Sequence, residues 1–165
     1  MALEIERRFL VTELPDLSAN KHITHEIKQA YLSTPGSVAV TRVRLIEVNG
    51  EKLAYLTIKT RVSAGINNEF EYRIPYEDAA KLFLASELRV RKTRHIYPFK
   101  GKLFEIDVFH EYLDGLMIAE VELGSLDEEI ELPSFLGKEI TNVNGLSNFE
   151  MANDPYTVKQ IIKNI

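Results

Sequence analysis

The chain places acidic and basic side chains at every second position of successive segments. Glu4, Glu6 and Arg8 alternate with Ile5, Phe9 and Val11; Arg42 and Arg44 alternate with Thr41, Val43 and Leu45; Thr57, Lys59 and Arg61 alternate with Leu56 and Ile58. Glu69, Glu71 and Arg73 then alternate with Phe70, Tyr72 and Ile74, and Lys92 with Arg94 marks the next segment. Glu105 and Asp107 alternate with Phe104, Ile106 and Val108, and Glu120 and Glu122 with Ala119, Val121 and Leu123. A period of two puts each charged set on one face of a strand. Converging arginines and lysines suit a polyanion, because guanidinium matches phosphate oxygens bidentately. Clustered carboxylates do not all stay ionised without cations, and an oxygen-only donor set suits Mg2+ or Mn2+ rather than zinc or copper. A linear phosphate chain held by the cations, with divalent metal between it and the carboxylates, satisfies both sets.

The elements that must position these residues are mostly strands. The alternation predicts eight, near 3–11, 26–33, 38–48, 52–61, 67–74, 87–97, 102–111 and 116–124. Turn signals fall between them at 34–37, Asn49-Gly50, 63–65, Lys100-Gly101 and Asp114-Gly115. A helix is predicted over 77–86 and another over 155–164, where Pro155 follows Asp154 and Val158, Ile161, Ile162 and Ile165 recur at helical spacing. Weaker helical turns are predicted at 14–20, 133–139 and 146–152. With no repeat, low-complexity tract or linker, the reading is one domain over 1–165 with a C-terminal helical segment at about 146–164.

Taken alone, any one such strand fits a sheet with one solvated face. Seven together do not, because the opposite face is apolar and two helices are too few to cover it. A closed sheet resolves this when the charged face points inward. The fold class is therefore α+β, mainly β: an eight-stranded antiparallel β-barrel with a charged interior. Its apolar outer face would be covered by a few helices and by a partner subunit, which allows a homodimer.

Composition excludes several classes. The 165 residues are 45% hydrophobic and 27% charged, the make-up of a soluble globular chain rather than a disordered one. No apolar run reaches the roughly 20 residues of a transmembrane span, and the N-terminus has no apolar signal stretch, so a cytoplasmic location is expected. Cysteine is absent, which removes disulfides and thiolate chemistry, and the four histidines (His22, His25, His95, His110) are scattered. A net charge of −5 argues against nucleic acid as a partner.

The opening Glu4-Ile5-Glu6-Arg7-Arg8-Phe9-Leu10-Val11 resembles the ExExK signature that begins the CYTH domain, or triphosphate tunnel metalloenzyme, superfamily. Further blocks follow in that family's order: Gln29-Ala30-Tyr31-Leu32, Val43-Arg44-Leu45, Thr57-Ile58-Lys59, Glu69-Phe70-Glu71-Tyr72, Lys92-Thr93-Arg94, Glu105-Ile106-Asp107-Val108-Phe109 and Ala119-Glu120-Val121-Glu122-Leu123. The resemblance covers roughly 3–152 and is nearest to the short bacterial branch, whose characterised members hydrolyse inorganic triphosphate. It implies an eight-stranded tunnel and metal-dependent hydrolysis of tripolyphosphate or a related triphosphate, with Mg2+ or Mn2+ as cofactor. Glu4, Glu6, Glu120 and Glu122 match the family's metal-binding glutamates, Asp107 matches an acidic position that assists metal binding, and Glu71 joins this metal set with Glu105 as a further candidate. Arg8, Arg42, Arg44, Lys59 and Arg94 match the phosphate-gripping residues, and Arg61 joins them on the face of Lys59. Tyr31 and Lys92 match a pair implicated in handling the attacking water.

The chain also departs from the pattern. Arg8 replaces the signature lysine, Ala30 a frequent glycine and Asn67 a common arginine; Arg73 stands where a third glutamate often follows, and 146–152 matches the terminal helix only loosely. Two alternatives stay open. A class IV adenylate cyclase would use the same tunnel to turn ATP into cyclic AMP, although no adenine motif is visible. A non-catalytic polyphosphate- or nucleotide-binding module would keep the basic grip but would not need the carboxylates.

Overall fold

The computed structural model describes residues 2–18 and 23–165. His22 and the end of the helical turn predicted at 14–20 lie outside them, and residues 14–18 form no helix. The strands are β1 (Ala2–Val11), β2 (Ile23–Tyr31), β3 (Ala39–Val48), β4 (Glu51–Ser63), β5 (Ile66–Arg73), β6 (Arg89–Phe99), β7 (Lys102–Phe109), β8 (Met117–Glu122) and β9 (Leu136–Glu139). Helix α1 spans Tyr76–Leu84, α2 Asn148–Asn153 and α3 Val158–Asn164. Strands β1 to β8 run antiparallel in the order β5-β4-β3-β2-β6-β7-β8-β1, and β1 returns to β5 to close the barrel. Closure removes the exposed edges an open sheet would present. The β3–β4 hairpin turns on Asn49 and Gly50, both at positive φ (50° and 77°), the geometry that matches strand twist.

Strand β1 is the seam. Ala2 to Ile5 pair with β5, while Glu6 to Leu10 pair with β8 on the other side. Beyond Ile5 the β5 side of β1 loses its partner, and its peptide groups need another. The segment 136–141 supplies one. Ile140 N donates to Arg8 O (2.8 Å), Arg8 N donates to Thr141 Oγ1 (3.0 Å), and Phe9 and Val11 pair with β9. The helical turn predicted at 133–139 is thus a turn followed by a strand. Gly137 lies so close to the chain that a Cβ there would stand 3.0 Å from Leu10 O, so the spacing of apolar residues alone misleads at this point.

The outer face is covered in two places. Helix α1 lays Ala79 and Phe83 on Ala30, Val43, Leu45 and Ala54. Across the barrel the irregular segment 123–136 brings Leu123, Ile130, Phe135 and Leu136 over Ile5, Phe9, Val11, Phe104, Ile106, Ala119 and Val121. The apolar face that looked too large for two helices is therefore covered largely by a loop. At one end the barrel interior itself turns apolar. Tyr31, Val90, Phe109 and Ile118 pack there with Leu113, Ile140, Leu146, Met151 and Val158. Helix α2 is held in place by a capping box, in which Glu150 N donates to Ser147 Oγ and Ser147 N donates to Glu150 Oε2, both at 3.1 Å.

Candidate active site

Above this apolar floor lies a cavity of about 660 Å³. Strand alternation turns Arg42 and Arg44 of β3 and Lys59 and Arg61 of β4 into it, with Arg8 of β1 and Arg94 of β6. Glu4 and Glu6 (β1), Glu69 and Glu71 (β5), Glu105 (β7), and Glu120 and Glu122 (β8) line the same space. The lining thus gathers carboxylates and cations in one enclosure, where low dielectric strengthens each charge interaction.

Most of these charges are paired. Lys59 Nζ lies 2.7 Å from Glu4 Oε2 and 3.0 Å from Glu69 Oε2. Arg8 Nε lies 3.2 Å from Glu120 Oε1, and Arg8 Nη1 donates to Leu146 O at 2.7 Å. Arg42 Nη2 donates to Thr57 Oγ1 (3.2 Å), which in turn donates to Glu71 Oε2 (2.9 Å). Arg94 pairs with Glu105 and grips Asp107 twice, Nε to Oδ1 at 2.6 Å and Nη2 to Oδ2 at 2.9 Å.

The leftover groups are informative. Burial, then Glu120 and Glu4, push the Glu6 carboxyl up to about 8. Glu122 faces Glu6 across the β1–β8 pair and is also raised, by burial and then by Glu4, Glu69 and Glu105. Among the described residues neither carboxylate has an ion-pair partner. Burial, then Arg42 and Arg94, lower Arg44 to about 10. Among the described residues, Arg8 Nη2 and Arg42 Nε are buried without an acceptor. Acids without an ion pair, beside guanidinium nitrogens without an acceptor, fit a cation and an anion bound together.

The donor set that could take a hard divalent cation is therefore Glu6 and Glu122, with Glu4 adjacent to Glu6 on the same strand face. Among the described residues no three Asp, Glu or His side chains converge as a ready-made cage. Such a cation would complete its shell with water and phosphate oxygens, as Mg2+ habitually does.

A model of the CYTH domain matches residues 2–155. The chain belongs to the CYTH domain family. An inorganic triphosphatase of Acetivibrio thermocellus is 31% identical over 159 residues, which cover 94% of this chain and 97% of that protein. An inorganic triphosphatase of Nitrosomonas europaea is 34% identical over 154 residues, covering 90% and 96%. A crystal structure of an inorganic triphosphatase has 33% identity and a TM-score of 0.65, over 92% of this chain and 95% of that one.

Within this CYTH barrel, the sequence-predicted residues Glu4, Glu6, Arg8, Tyr31, Arg42, Arg44, Lys59, Arg61, Glu71, Arg94, Glu120 and Glu122 all line the cavity. Lys92 and Asp107 do not. Both side chains are fully buried in the wall, with Lys92 Nζ 2.5 Å from Asp107 Oδ2 and 3.2 Å from Asn148 Oδ1 of α2. Burial lowers the Lys92 amine to about 7 against the pull of Asp107. Asp107 is held below its ordinary range because Arg94 and Lys92 outweigh its own burial. Asp107 is enclosed by the two cations it pairs with, so the shape of the wall separates it from the open acidic groups. Arg73 ends β5 exposed, outside the cavity. The alternation misses the polar part of the lining, Thr141, Asn142, Asn144, Ser147 and Asn148, because it comes from the turns around α2, where no strand period operates.

Proposed function

We propose that this CYTH-domain protein is a metal-dependent hydrolase of inorganic tripolyphosphate or a closely related triphosphate. The observation that carries this reading is that carboxylates without ion pairs and guanidinium nitrogens without acceptors share one cavity of about 660 Å³. The inorganic triphosphatases to which the chain is similar along nearly its whole length support it.

In this reading Arg8, Arg42, Arg44, Lys59, Arg61 and Arg94 bind and orient the phosphate chain, which lowers the entropic cost of reaching an in-line geometry. Glu6 and Glu122, with Glu4 beside them, would hold the divalent ion. Glu120, which matches the family's metal-binding set, is here paired with Arg8 and Arg94, and Glu71 and Asp107 support the site through Arg42 and Arg94. Bound Mg2+ or Mn2+ would neutralise charge on the phosphoryl oxygens. Tyr31, a residue of the cavity lining, would offer its hydroxyl to the bound chain. Lys92 acts from behind the wall, by fixing Asp107 and Asn148. Cytoplasmic placement goes with this reading.

The test is a substrate panel of tripolyphosphate, ATP, thiamine triphosphate and pyrophosphate, with Mg2+ and with Mn2+, in which phosphate release and cyclic AMP are measured together. Phosphate release favouring tripolyphosphate is expected. Cyclic AMP from ATP, or no turnover of any triphosphate, would overturn the proposal.

A further inference from the structure

Gln29 is fully buried on β2 and is not among the residues that line the cavity, so it cannot touch a bound phosphate chain. It stands between two residues that can. Arg44 Nε donates to Gln29 Oε1 at 3.0 Å, and Gln29 Nε2 donates to Tyr31 Oη at 2.9 Å. A guanidinium has no acceptor atom, so the Arg44 contact decides which end of the amide faces it. The amide nitrogen is then committed to Tyr31, whose oxygen must accept. The tyrosine proton is directed away from Gln29, and Tyr31 is itself a cavity-wall residue with the Phe149 ring packed 5.1 Å from its own. No other hydrogen bond occupies that hydroxyl among the described residues. Burial pushes the phenol up from its ordinary value, which keeps the proton in place.

We infer that Gln29 is a positioning residue that sets the polarity of Tyr31, so that the hydroxyl offers its proton to a phosphoryl oxygen in the cavity instead of accepting one from water. The inference rests on the hydrolase reading and refines it: Tyr31 acts as a fixed hydrogen-bond donor, and the Arg44–Gln29–Tyr31 relay ties that donor to a residue of the phosphate grip. A donor held in advance at the position of developing charge stabilises the transition state without reorganising.

Gln29→Glu tests it. The carboxylate still accepts from Arg44, but it has no proton to give Tyr31, so the hydroxyl turns and donates to it. On tripolyphosphate, kcat is expected to fall about tenfold or more, to the level of Tyr31→Phe, with KM within about twofold of the parent, because one hydrogen bond to a charged oxygen is lost. The double variant Gln29→Glu/Tyr31→Phe should be no slower than Tyr31→Phe alone. Wild-type kcat in Gln29→Glu, or losses that multiply in the double variant, would overturn the inference. If Gln29→Glu does not fold, Gln29→Met removes both contacts at similar volume; it should lower kcat in the native background and have no further effect on kcat beside Tyr31→Phe, and any other pattern counts against the relay. Failure of the parent enzyme to hydrolyse any triphosphate would instead sink the hydrolase reading, before Gln29 is varied.

Discussion

Lys92 and Asp107 form an ion pair 2.5 Å long in which neither side chain is exposed, in the wall of a barrel whose cavity neither reaches. Asp107 is the hub, since it also holds Arg94 through two hydrogen bonds. The two members of the pair are therefore unequal. Asp107→Asn leaves two buried cations short of their counter-charge and should cost about 3–5 kcal/mol. Lys92→Met keeps the Arg94 grip on Asp107 and removes an amine that burial has already lowered to about 7, so its cost should be well below that. Urea unfolding of the two variants checks the order, and equal losses would show that Lys92 is the main counter-charge. Lys92→Arg, the obvious conservative change, would overpack a fully enclosed site, at about 1–3 kcal/mol, and so would report on packing rather than chemistry.

Chelation should abolish phosphate release, and added Mg2+ or Mn2+ should restore it. Glu122→Gln should cut kcat by about 100-fold or more, the scale expected for lost electrostatic stabilisation, without lowering Tm. It removes a charge that burial and then the neighbouring carboxylates disfavour, whereas Glu4→Gln would also weaken the 2.7 Å pair with Lys59. Near-normal turnover in Glu122→Gln would remove that residue from the metal set.

The pH dependence of stability isolates Glu6. Its folded-state carboxyl, raised to about 8, holds a proton over the range where the unfolded chain has already released one. Without metal, this group's contribution to stability is present below about pH 4.5 and is lost as pH rises towards 8. Glu6→Gln should remove that decline and be the more stable protein above pH 8. Parallel urea-midpoint curves for parent and variant in chelator would refute it.

Gly65 sits at φ +72° where β1 parts from β5, and a Cβ there would meet Glu6 O at 2.7 Å and Thr141 Cγ2 at 2.8 Å. Gly65→Ala should cost about 2 kcal/mol and lower Tm by several degrees. Gly36→Ala, also at positive φ (+85°) but with nothing among the described residues within 4 Å, carries the backbone strain without the clash and should lose less. Equal losses at the two sites would mean that strain alone matters.

The barrel and most of its lining are legible in the order of the residues, because a period of two is a local property. Once Glu4, Glu6 and Arg8 share a strand face, and Arg42 and Arg44 share another, closing the sheet sends all of them into one space. Where along the barrel axis a residue lands is set by long-range packing instead. Alternation gives Arg73, Lys92 and Asp107 the same side as their neighbours, yet Arg73 ends its strand in solvent, Lys92 is held against Asn148 of α2, and Asp107 is buried against Lys92 and Arg94. Tertiary structure also placed the strand 136–139, which reads locally as a helical turn and pairs only because β1 has an unpartnered edge. The direction of the Tyr31 proton likewise follows from Arg44 meeting Gln29 across two strands. Hydrogen-bond polarity passes between side chains distant in sequence, and no local pattern records it.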